Sequence, residues 1–238
     1  MIAPDRPAGE DFFEVFEEEI NRSGLPVGLE IVYPYIPPRV MPDGGMNPSP
    51  EVAQGLAAAI RDGYVNGFRE MVIACNTLQL WVPEAVGLLP EEMADVQIYT
   101  SIEAVRAEYI DPQVRPLWLG TTPIVRAVSD DFPTLLTLER QDLQDLSQEI
   151  IWRVKAVTGA DFQNAPEEVR IDAKAENILR EKVEKLVTQL GSLPVKQFIM
   201  GCTELSLALA RYIDEEDRPD LEKIELIDPT VILARKVI

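Results

Sequence analysis

The ten residues MVIACNTLQL (71–80) and the ten residues FIMGCTELSL (198–207) follow one pattern. Each stretch has three apolar residues, one small residue, a cysteine, two polar residues and then leucine, a polar residue and leucine. The two cysteines of the chain, Cys75 and Cys202, occupy the same place in the two stretches, 127 positions apart. Each stretch follows a segment with helical periodicity, so the repeat predicts strand–turn–helix units in two similar lobes.

Strand and helix patterns alternate along the rest of the chain. Helices are predicted over residues 10–21, 51–66, 141–158 and 168–190, and from residue 230 to the end. Strands are predicted over residues 28–33, 71–74, 96–99, 116–120, 197–200 and 223–227. This alternation is typical of an α/β protein with largely parallel sheets. The proline- and glycine-rich stretch 33–50 predicts a long loop, and it contains Arg39.

The composition restricts the class of protein and its partners. The 238 residues are 46% apolar and 26% charged, as in ordinary globular proteins. No apolar run approaches the roughly 18 residues that a membrane span needs, and the first residues do not resemble a secretory signal, so a cytoplasmic location is expected. The formal net charge is −19, without a Lys/Arg cluster. Nucleic acids and anionic membranes are therefore not expected as partners, and an acidic substrate would need a local positive pocket.

The chain has no histidine. That absence excludes nucleophiles activated by histidine and metal sites that contain histidine. Two cysteines cannot form a zinc site without carboxylate ligands, so no metal is expected. The available chemistry uses cysteine, carboxylates, lysine, arginine, tyrosine or hydroxyl side chains.

A cysteine at the carboxyl end of a parallel strand lies where open α/β sheets bind ligands. A helix that starts just after the cysteine favours the thiolate, because its free N–H groups and dipole point at the sulphur. Asn76, Thr77 and Thr203 are residue types that cap helix starts and whose amides can hold an anion. Two such thiols suit proton abstraction from a carbon acid, one as the base and the other as the acid.

Other interpretations of the cysteines are open. A structural disulfide is disfavoured by a cytoplasmic setting and by two separate strand ends. Buried, inert cysteines are common, but two matched motifs argue against coincidence. A redox dithiol would more often have the Cys-x-x-Cys spacing, which is absent.

The segments Ala74-Cys75-Asn76-Thr77 and Gly201-Cys202-Thr203-Glu204-Leu205 resemble the paired cysteine motifs of the aspartate/glutamate racemase superfamily. Residues 116–122 (PLWLGTT) resemble its strand and threonine turn, and residues 227–230 (IDPT) resemble its C-terminal segment. The resemblance implies an α/β fold of two similar Rossmann-like or flavodoxin-like lobes with mostly parallel sheets. The lobes would be related by pseudo-symmetry, with the active site between them. Their expected extents are residues 1–98 with 208–238, and residues 99–207.

The resemblance also implies a function. The protein would be a cofactor-independent racemase of an acidic amino acid, aspartate or glutamate, and it would form a homodimer. Cys75 and Cys202 would be the two acid/base residues. Glu204 occupies the place of a histidine in the glutamate racemases, as in the aspartate racemase branch. The implied substrate-binding residues are Asn76, Thr77, Thr121 and Thr203 for the α-carboxylate or ammonium, and Arg39 and Lys155 for the side-chain carboxylate, with Glu204 beside them.

The chain departs from this family at its start, where Met1-Ile2-Ala3-Pro4-Asp5 is only a stub of the family's first strand. Related enzymes decarboxylate malonates or isomerise maleate, often with one cysteine, and the presence of both Cys75 and Cys202 favours a racemase. A non-catalytic amino-acid-binding protein with this fold is a further alternative, supported by the altered first loop.

Overall fold

A computed structural model of the chain describes residues 1–4, 6–37, 40, 41, 46, 47, 49–109, 111, 115–158, 167, 169, 176–215 and 224–238. Helices and strands alternate along most of these residues. In chain order they are α1 (Arg6–Ser23), α2 (Pro50–Val65), β1 (Glu70–Val72), a 3-10 helix (Leu78–Trp81), α3 (Val82–Gly87), a second 3-10 helix (Glu91–Met93), β2 (Gln97–Tyr99), α4 (Ser101–Glu108), β3 (Leu117–Leu119), α5 (Thr122–Val128), α6 (Gln141–Thr158), α7 (Glu176–Gly191), β4 (Gln197–Met200), α8 (Thr203–Glu215), β5 (Glu225–Ile227) and α9 (Pro229–Val237).

The chain divides into two compact units. The first comprises Met1–Arg39, Asn47–Glu108 and Pro229–Ile238, and the second comprises Val40–Met46 and Tyr109–Asp228. β5 pairs with β4 and therefore groups with the second unit, whereas α9 packs against α1 and α4 of the first. The lobe boundaries expected after residues 98 and 207 stay a prediction.

The first unit is built on a parallel sheet. β1 pairs with β2, and single bridges place Ile2 beside Ile73 and Val32 beside Ile2. The prediction of a strand over residues 28–33 is wrong in its extent. Within that segment only Val32 forms a β-bridge. Its neighbour is the short segment at Met1–Ala3, and Pro34 follows it without a backbone N–H to donate.

Helices cover both faces of this sheet. α2 begins where Ser49 Oγ accepts a hydrogen bond from Glu51 N, with proline at the first helical position. Alternate residues of β1 and its continuation point to opposite faces, as the period of a strand requires. One core cluster contains Met71 and Ile73 with the buried face of α2, and another contains Val72 with residues of α1 and α9.

The second unit contains a three-stranded parallel sheet in the order β3-β4-β5. In its register Leu119 lies opposite Met200, and Ile199 lies opposite Ile227. The helices α6, α7 and α8 pack on one another and bury their apolar faces with β3 and β4 in one core cluster. Both sheets are parallel, which confirms the prediction of an α/β fold with parallel sheets. No helix in the described part of the chain is long and apolar enough to cross a bilayer.

Candidate active site

Cys202 lies directly after β4 and directly before α8. Its carbonyl oxygen accepts the first helical hydrogen bonds, from Leu205 N at 3.1 Å and Ser206 N at 3.2 Å, so the residue caps the helix with its backbone. The side chain is buried. Its thiol donates a hydrogen bond to Glu204 Oε2, with an S···O distance of 2.7 Å. The second cysteine of the repeat therefore has a proton acceptor in contact with it.

Lys155 holds the other oxygen of the same carboxylate. Its Nζ atom lies 3.2 Å from Glu204 Oε1, and the two side chains are 12% and 11% exposed. Burial by itself would raise the pKa of Glu204, but the Lys155 ammonium and then the hydrogen bond from Cys202 outweigh it, so the pKa lies below the ordinary glutamate value. The carboxylate is therefore ionised at neutral pH, although it is buried.

Two glycines allow the ends of β3 and β4 to approach each other. Gly201 N donates to Leu119 O at 2.7 Å. A Cβ atom on Gly201 would clash with Trp118 Nε1 and would lie 2.5 Å from that oxygen, and a Cβ on Gly120 would lie 3.0 Å from Gly201 O. Such distances are shorter than van der Waals contact, so only glycine fits without a shift of the backbone. The close approach fixes the turn that carries Cys202.

Thr121 follows β3 at the same edge of the sheet. It is buried and is the N-cap residue of α5, but its side chain makes no capping hydrogen bond. Two side chains of α6 bind the residues on either side of it: Gln144 Nε2 donates to Gly120 O at 2.9 Å, and Thr122 N donates to Gln148 Oε1 at 3.0 Å. Thr121 is thus held between two buried amides.

Cys75 occupies the corresponding place after β1 in the first unit. Its side chain is half-buried. The element that follows is the 3-10 helix Leu78–Trp81, which the α-helix Val82–Gly87 continues, whereas Cys202 leads straight into the 13-residue helix α8. The expectation of a helix within a residue or two is therefore confirmed for Cys202. For Cys75 the expectation is wrong, because the element that follows is a short 3-10 helix that begins three residues later.

A buried hydrogen-bond network supports the turn after Cys75. Asn76 Oδ1 accepts hydrogen bonds from Ser101 Oγ and from Gln79 Nε2, the latter at 3.3 Å. Gln79 Nε2 also donates to Ile73 O at 3.0 Å, and Gln79 Oε1 accepts from Ile102 N at 3.2 Å and lies 3.1 Å from Ser101 Oγ, whose one hydroxyl hydrogen it shares with Asn76 Oδ1. Asn76 is thus anchored by its side-chain oxygen, and this network joins the ends of β1 and β2.

The predicted site residues are distributed over both units. Cys75, Asn76 and Thr77 are in the first unit, and Thr121, Lys155, Cys202, Thr203 and Glu204 are in the second. A hydrogen bond joins Cys202 to Glu204, and an ion pair joins Glu204 to Lys155. Arg39 lies outside the described residues. The roles of all these residues stay predictions.

Both cysteines are free thiols. Among the described residues no group of histidine, cysteine or carboxylate side chains could hold a metal ion. The sequence interpretation missed four polar residues that shape the site: Gln79, Ser101, Gln144 and Gln148. The signal for the last two was present, because two glutamines four residues apart lie in the same helical stripe as Ile151 and Lys155.

Comparison with known proteins gives no match to a protein-family model and none to a curated protein sequence. Solved structures do match. A glutamate racemase from Thermus thermophilus, in complex with β-chloro-D-alanine, is 18% identical with a TM-score of 0.54, and the match covers 99% of this chain and 77% of that chain. An aspartate racemase homologue from Pyrococcus horikoshii is 20% identical with a TM-score of 0.55, over 99% of this chain and 95% of that one.

A glutamate racemase from Campylobacter jejuni is similar over 99% of this chain and 83% of its own, with 14% identity and a TM-score of 0.57. At such low sequence identities these matches show a similarity of fold. The resemblance that the cysteine motifs predict is therefore confirmed at that level: the chain has the fold of the aspartate/glutamate racemase superfamily.

Proposed function

We propose that this protein is a cofactor-independent racemase of an acidic amino acid, with Cys75 and Cys202 as its two acid/base residues. The fold of aspartate and glutamate racemases supports the reaction class. The two matched cysteine motifs, each at the carboxyl end of a parallel strand, support a mechanism with two bases. The observation that carries the proposal furthest is the contact of Cys202 with an ionised, buried carboxylate.

The proposed reaction transfers two protons. For one enantiomer, the thiolate of one cysteine removes the α-proton, so that the C–H bond breaks and an S–H bond forms. The thiol of the other cysteine then gives its proton to the opposite face of the planar carbanion. The product has the opposite configuration, and the two sulphur atoms have exchanged their protonation states. The reverse reaction uses the same two groups in exchanged roles.

Glu204 is the proposed acceptor of the Cys202 proton. Transfer from Sγ to Oε2 makes the thiolate and a neutral carboxyl group, so this transfer step leaves the charge of the pair at one negative unit. Lys155 lies beside that charge and compensates it. A buried thiol without such an acceptor would have to ionise alone in an apolar environment, which is unfavourable. The arrangement therefore provides the base without a histidine.

The proposed substrate is acidic, although the chain carries a net charge of −19. A carboxylate substrate must meet local positive charge or backbone amides, because the overall field repels it. Arg39 and Lys155 are the proposed partners of the side-chain carboxylate. Since Lys155 already pairs with Glu204, we assign the main role to Arg39. For the α-carboxylate and ammonium, the proposed residues are Asn76, Thr77, Thr121 and Thr203.

The test is exchange of the α-proton. Purified protein is incubated in D2O with each L- and D-amino acid, and the α-proton signal is followed by NMR, with the double variant Cys75→Ser/Cys202→Ser as the control. We expect loss of the signal with both enantiomers of aspartate or glutamate, together with formation of the opposite enantiomer. Binding without exchange would instead indicate a non-catalytic binding protein. Activity on a malonate or on maleate alone would indicate a decarboxylase or an isomerase.

A further inference from the structure

Helix α6 buries a polar stripe beside the end of β3. Gln144 and Ser147 are fully buried, and Gln148 is 8% exposed. Burial of a primary amide is unfavourable unless its hydrogen bonds are replaced. Each glutamine is bonded through one end of its amide. Among the described residues, Gln144 Oε1, Gln148 Nε2 and Ser147 Oγ have no partner. For folding alone, glutamines at these two positions are an expensive choice.

The bonded ends of both amides converge on one turn. Gln144 Nε2 donates to the carbonyl oxygen of Gly120 at 2.9 Å and to Thr122 Oγ1 at 3.3 Å. Gln148 Oε1 accepts from Thr122 N at 3.0 Å. The carbonyl that precedes Thr121 and the amide that follows it are therefore both fixed. The two peptide planes on either side of Thr121 cannot rotate without breaking one of these bonds.

The contact from Gln148 satisfies the first N–H group of α5, which has no acceptor within the helix. At most helix starts the N-cap side chain accepts a hydrogen bond from one of the first N–H groups. Here Thr121 is the N-cap residue, and its side chain makes no such bond. A side chain of another helix accepts from Thr122 N instead. The orientation of the Thr121 hydroxyl is therefore not dictated by helix capping.

We infer that Gln144 and Gln148 are positioning residues for Thr121 in the proposed racemase site. This inference rests on the proposed function, in which Thr121 binds the α-carboxylate or ammonium of the substrate. The two glutamines hold the backbone on both sides of Thr121 and so set the direction in which it meets the substrate. They act through Thr121 and do not touch the reacting atoms.

Gln144 donates a hydrogen bond to the turn, whereas Gln148 accepts one from it. Replacement by glutamate should therefore have different effects at the two positions. Gln148 serves as an acceptor, so Gln148→Glu keeps the bond to Thr122 N, and a carboxylate is favourable near the first amide of a helix. Gln144 serves as a donor to Gly120 O, so Gln144→Glu would set two acceptors against each other. Gln148→Met removes the acceptor at similar volume. Gln141→Met is the control, since Gln141 is exposed in the first turn of α6 and donates to Asp145 of the same helix.

The experiment measures kcat and KM of the wild type and these variants with the amino acid that the wild type racemises, together with their melting temperatures. We expect Gln148→Met and Gln144→Glu to raise KM about tenfold, as the loss of one hydrogen bond in the site would do, with a smaller change in kcat. Gln141→Met should stay within about twofold of the wild type, and Gln148→Glu, which keeps the acceptor, should raise KM less than Gln148→Met does.

A coupling measurement separates this role from a structural one. In a Thr121→Val background, which removes the hydroxyl at similar volume, Gln148→Met should change KM less than about twofold, because its effect passes through Thr121. Equal effects in both backgrounds, or equal effects of Gln148→Met and Gln148→Glu, would overturn the inference while leaving the racemase intact. A wild type that racemises no amino acid would overturn the proposed function and this role with it.

Discussion

The carboxylate of Glu204 lies between two partners: its Oε2 accepts the thiol proton of Cys202 at 2.7 Å, and its Oε1 lies 3.2 Å from Lys155 Nζ. Glu204 and Cys202 are two residues apart at the start of α8, whereas Lys155 comes from the last turn of α6. The packing of these two helices thus completes a thiol–carboxylate–ammonium chain. The ammonium favours the ionised form of the carboxylate, and this carboxylate is the proposed acceptor of the Cys202 proton.

Glu204→Gln tests the proton acceptor. The amide can still accept a hydrogen bond from the Cys202 thiol, but it cannot take the proton. We expect kcat for racemisation to fall about 100-fold, within the range for loss of a general base. Asp142→Asn is the matched control, since Asp142 pairs with Arg140 on the exposed part of the same helix that carries Lys155. Racemisation by Glu204→Gln within twofold of the wild-type rate would show that the carboxylate is not part of the proton path.

The effect of Glu204→Gln on the free energy of unfolding should depend on pH. The folded protein holds the pKa of Glu204 below its ordinary value of 4.5, chiefly because the Lys155 ammonium offsets burial. The folded state therefore binds fewer protons than the unfolded state between the two pKa values, and the stabilisation by Glu204 is complete above 4.5 and is lost as the pH falls through the folded value.

Urea unfolding of the wild type and Glu204→Gln measures this contribution. At pH 7 the variant leaves Lys155 buried without its carboxylate, and we expect a loss of about 3 kcal/mol in the free energy of unfolding. The difference between the two proteins should shrink as the pH is lowered below 4.5. A difference that grows on acidification would contradict the assigned direction of the pKa shift.

Gly201→Ala tests the close approach of β3 and β4. The added Cβ would clash with Trp118 Nε1 and would lie 2.5 Å from Leu119 O, so the backbone before Cys202 must shift. Overpacking of this kind costs about 1–3 kcal/mol, and displacement of Cys202 should lower kcat about 100-fold. Gly191→Ala is the control, because a Cβ atom added there would lie 3.9 Å from Ile224 Cδ1, an ordinary van der Waals contact. Equal melting temperatures and rates for the two variants would contradict the argument.

Arg39→Lys tests the assignment of the side-chain carboxylate. A bidentate guanidinium is poorly replaced by the point charge of an ammonium. Binding of acidic substrates should weaken by roughly 1–3 kcal/mol, the usual size for a lost charged hydrogen bond. Kinetics with aspartate and glutamate, compared with those of the wild type, measure the change. Unchanged kinetics with both would show that Arg39 does not bind the substrate.

Much of the fold follows from periodicity alone. The strand at 197–200 and the helix at 141–158 have the bounds that the pattern predicts, because a continuous apolar run or an amphipathic stripe determines each of them. The prediction of a strand over residues 28–33 failed because a strand needs a partner strand of similar length. The neighbouring segment is only Met1–Ala3, and the residue pattern of one strand gives no information about the length of its partner.

The candidate site was predictable only in part. Both cysteines stand out because the chain repeats a ten-residue pattern around them. The pairing of Lys155 with Glu204 was not predictable, since 49 residues separate them and only the packing of α6 on α8 brings them together. The helical stripe marks Gln144 and Gln148 as facing the same way as Ile151, but it does not identify their partners, which are backbone groups of the turn at Gly120 and Thr122.

The central claim is that two cysteines act as opposite bases, and the single variants Cys75→Ser and Cys202→Ser test it most directly. Each is incubated in D2O with the L- and the D-enantiomer of the substrate, and loss of the α-proton and formation of the opposite enantiomer are followed together. Serine is a far poorer base at neutral pH and has no histidine to activate it. Both variants should lose racemisation in both directions, and each should still exchange the α-proton of one enantiomer, a different one for each variant. Racemisation at the wild-type rate by both variants would contradict the account.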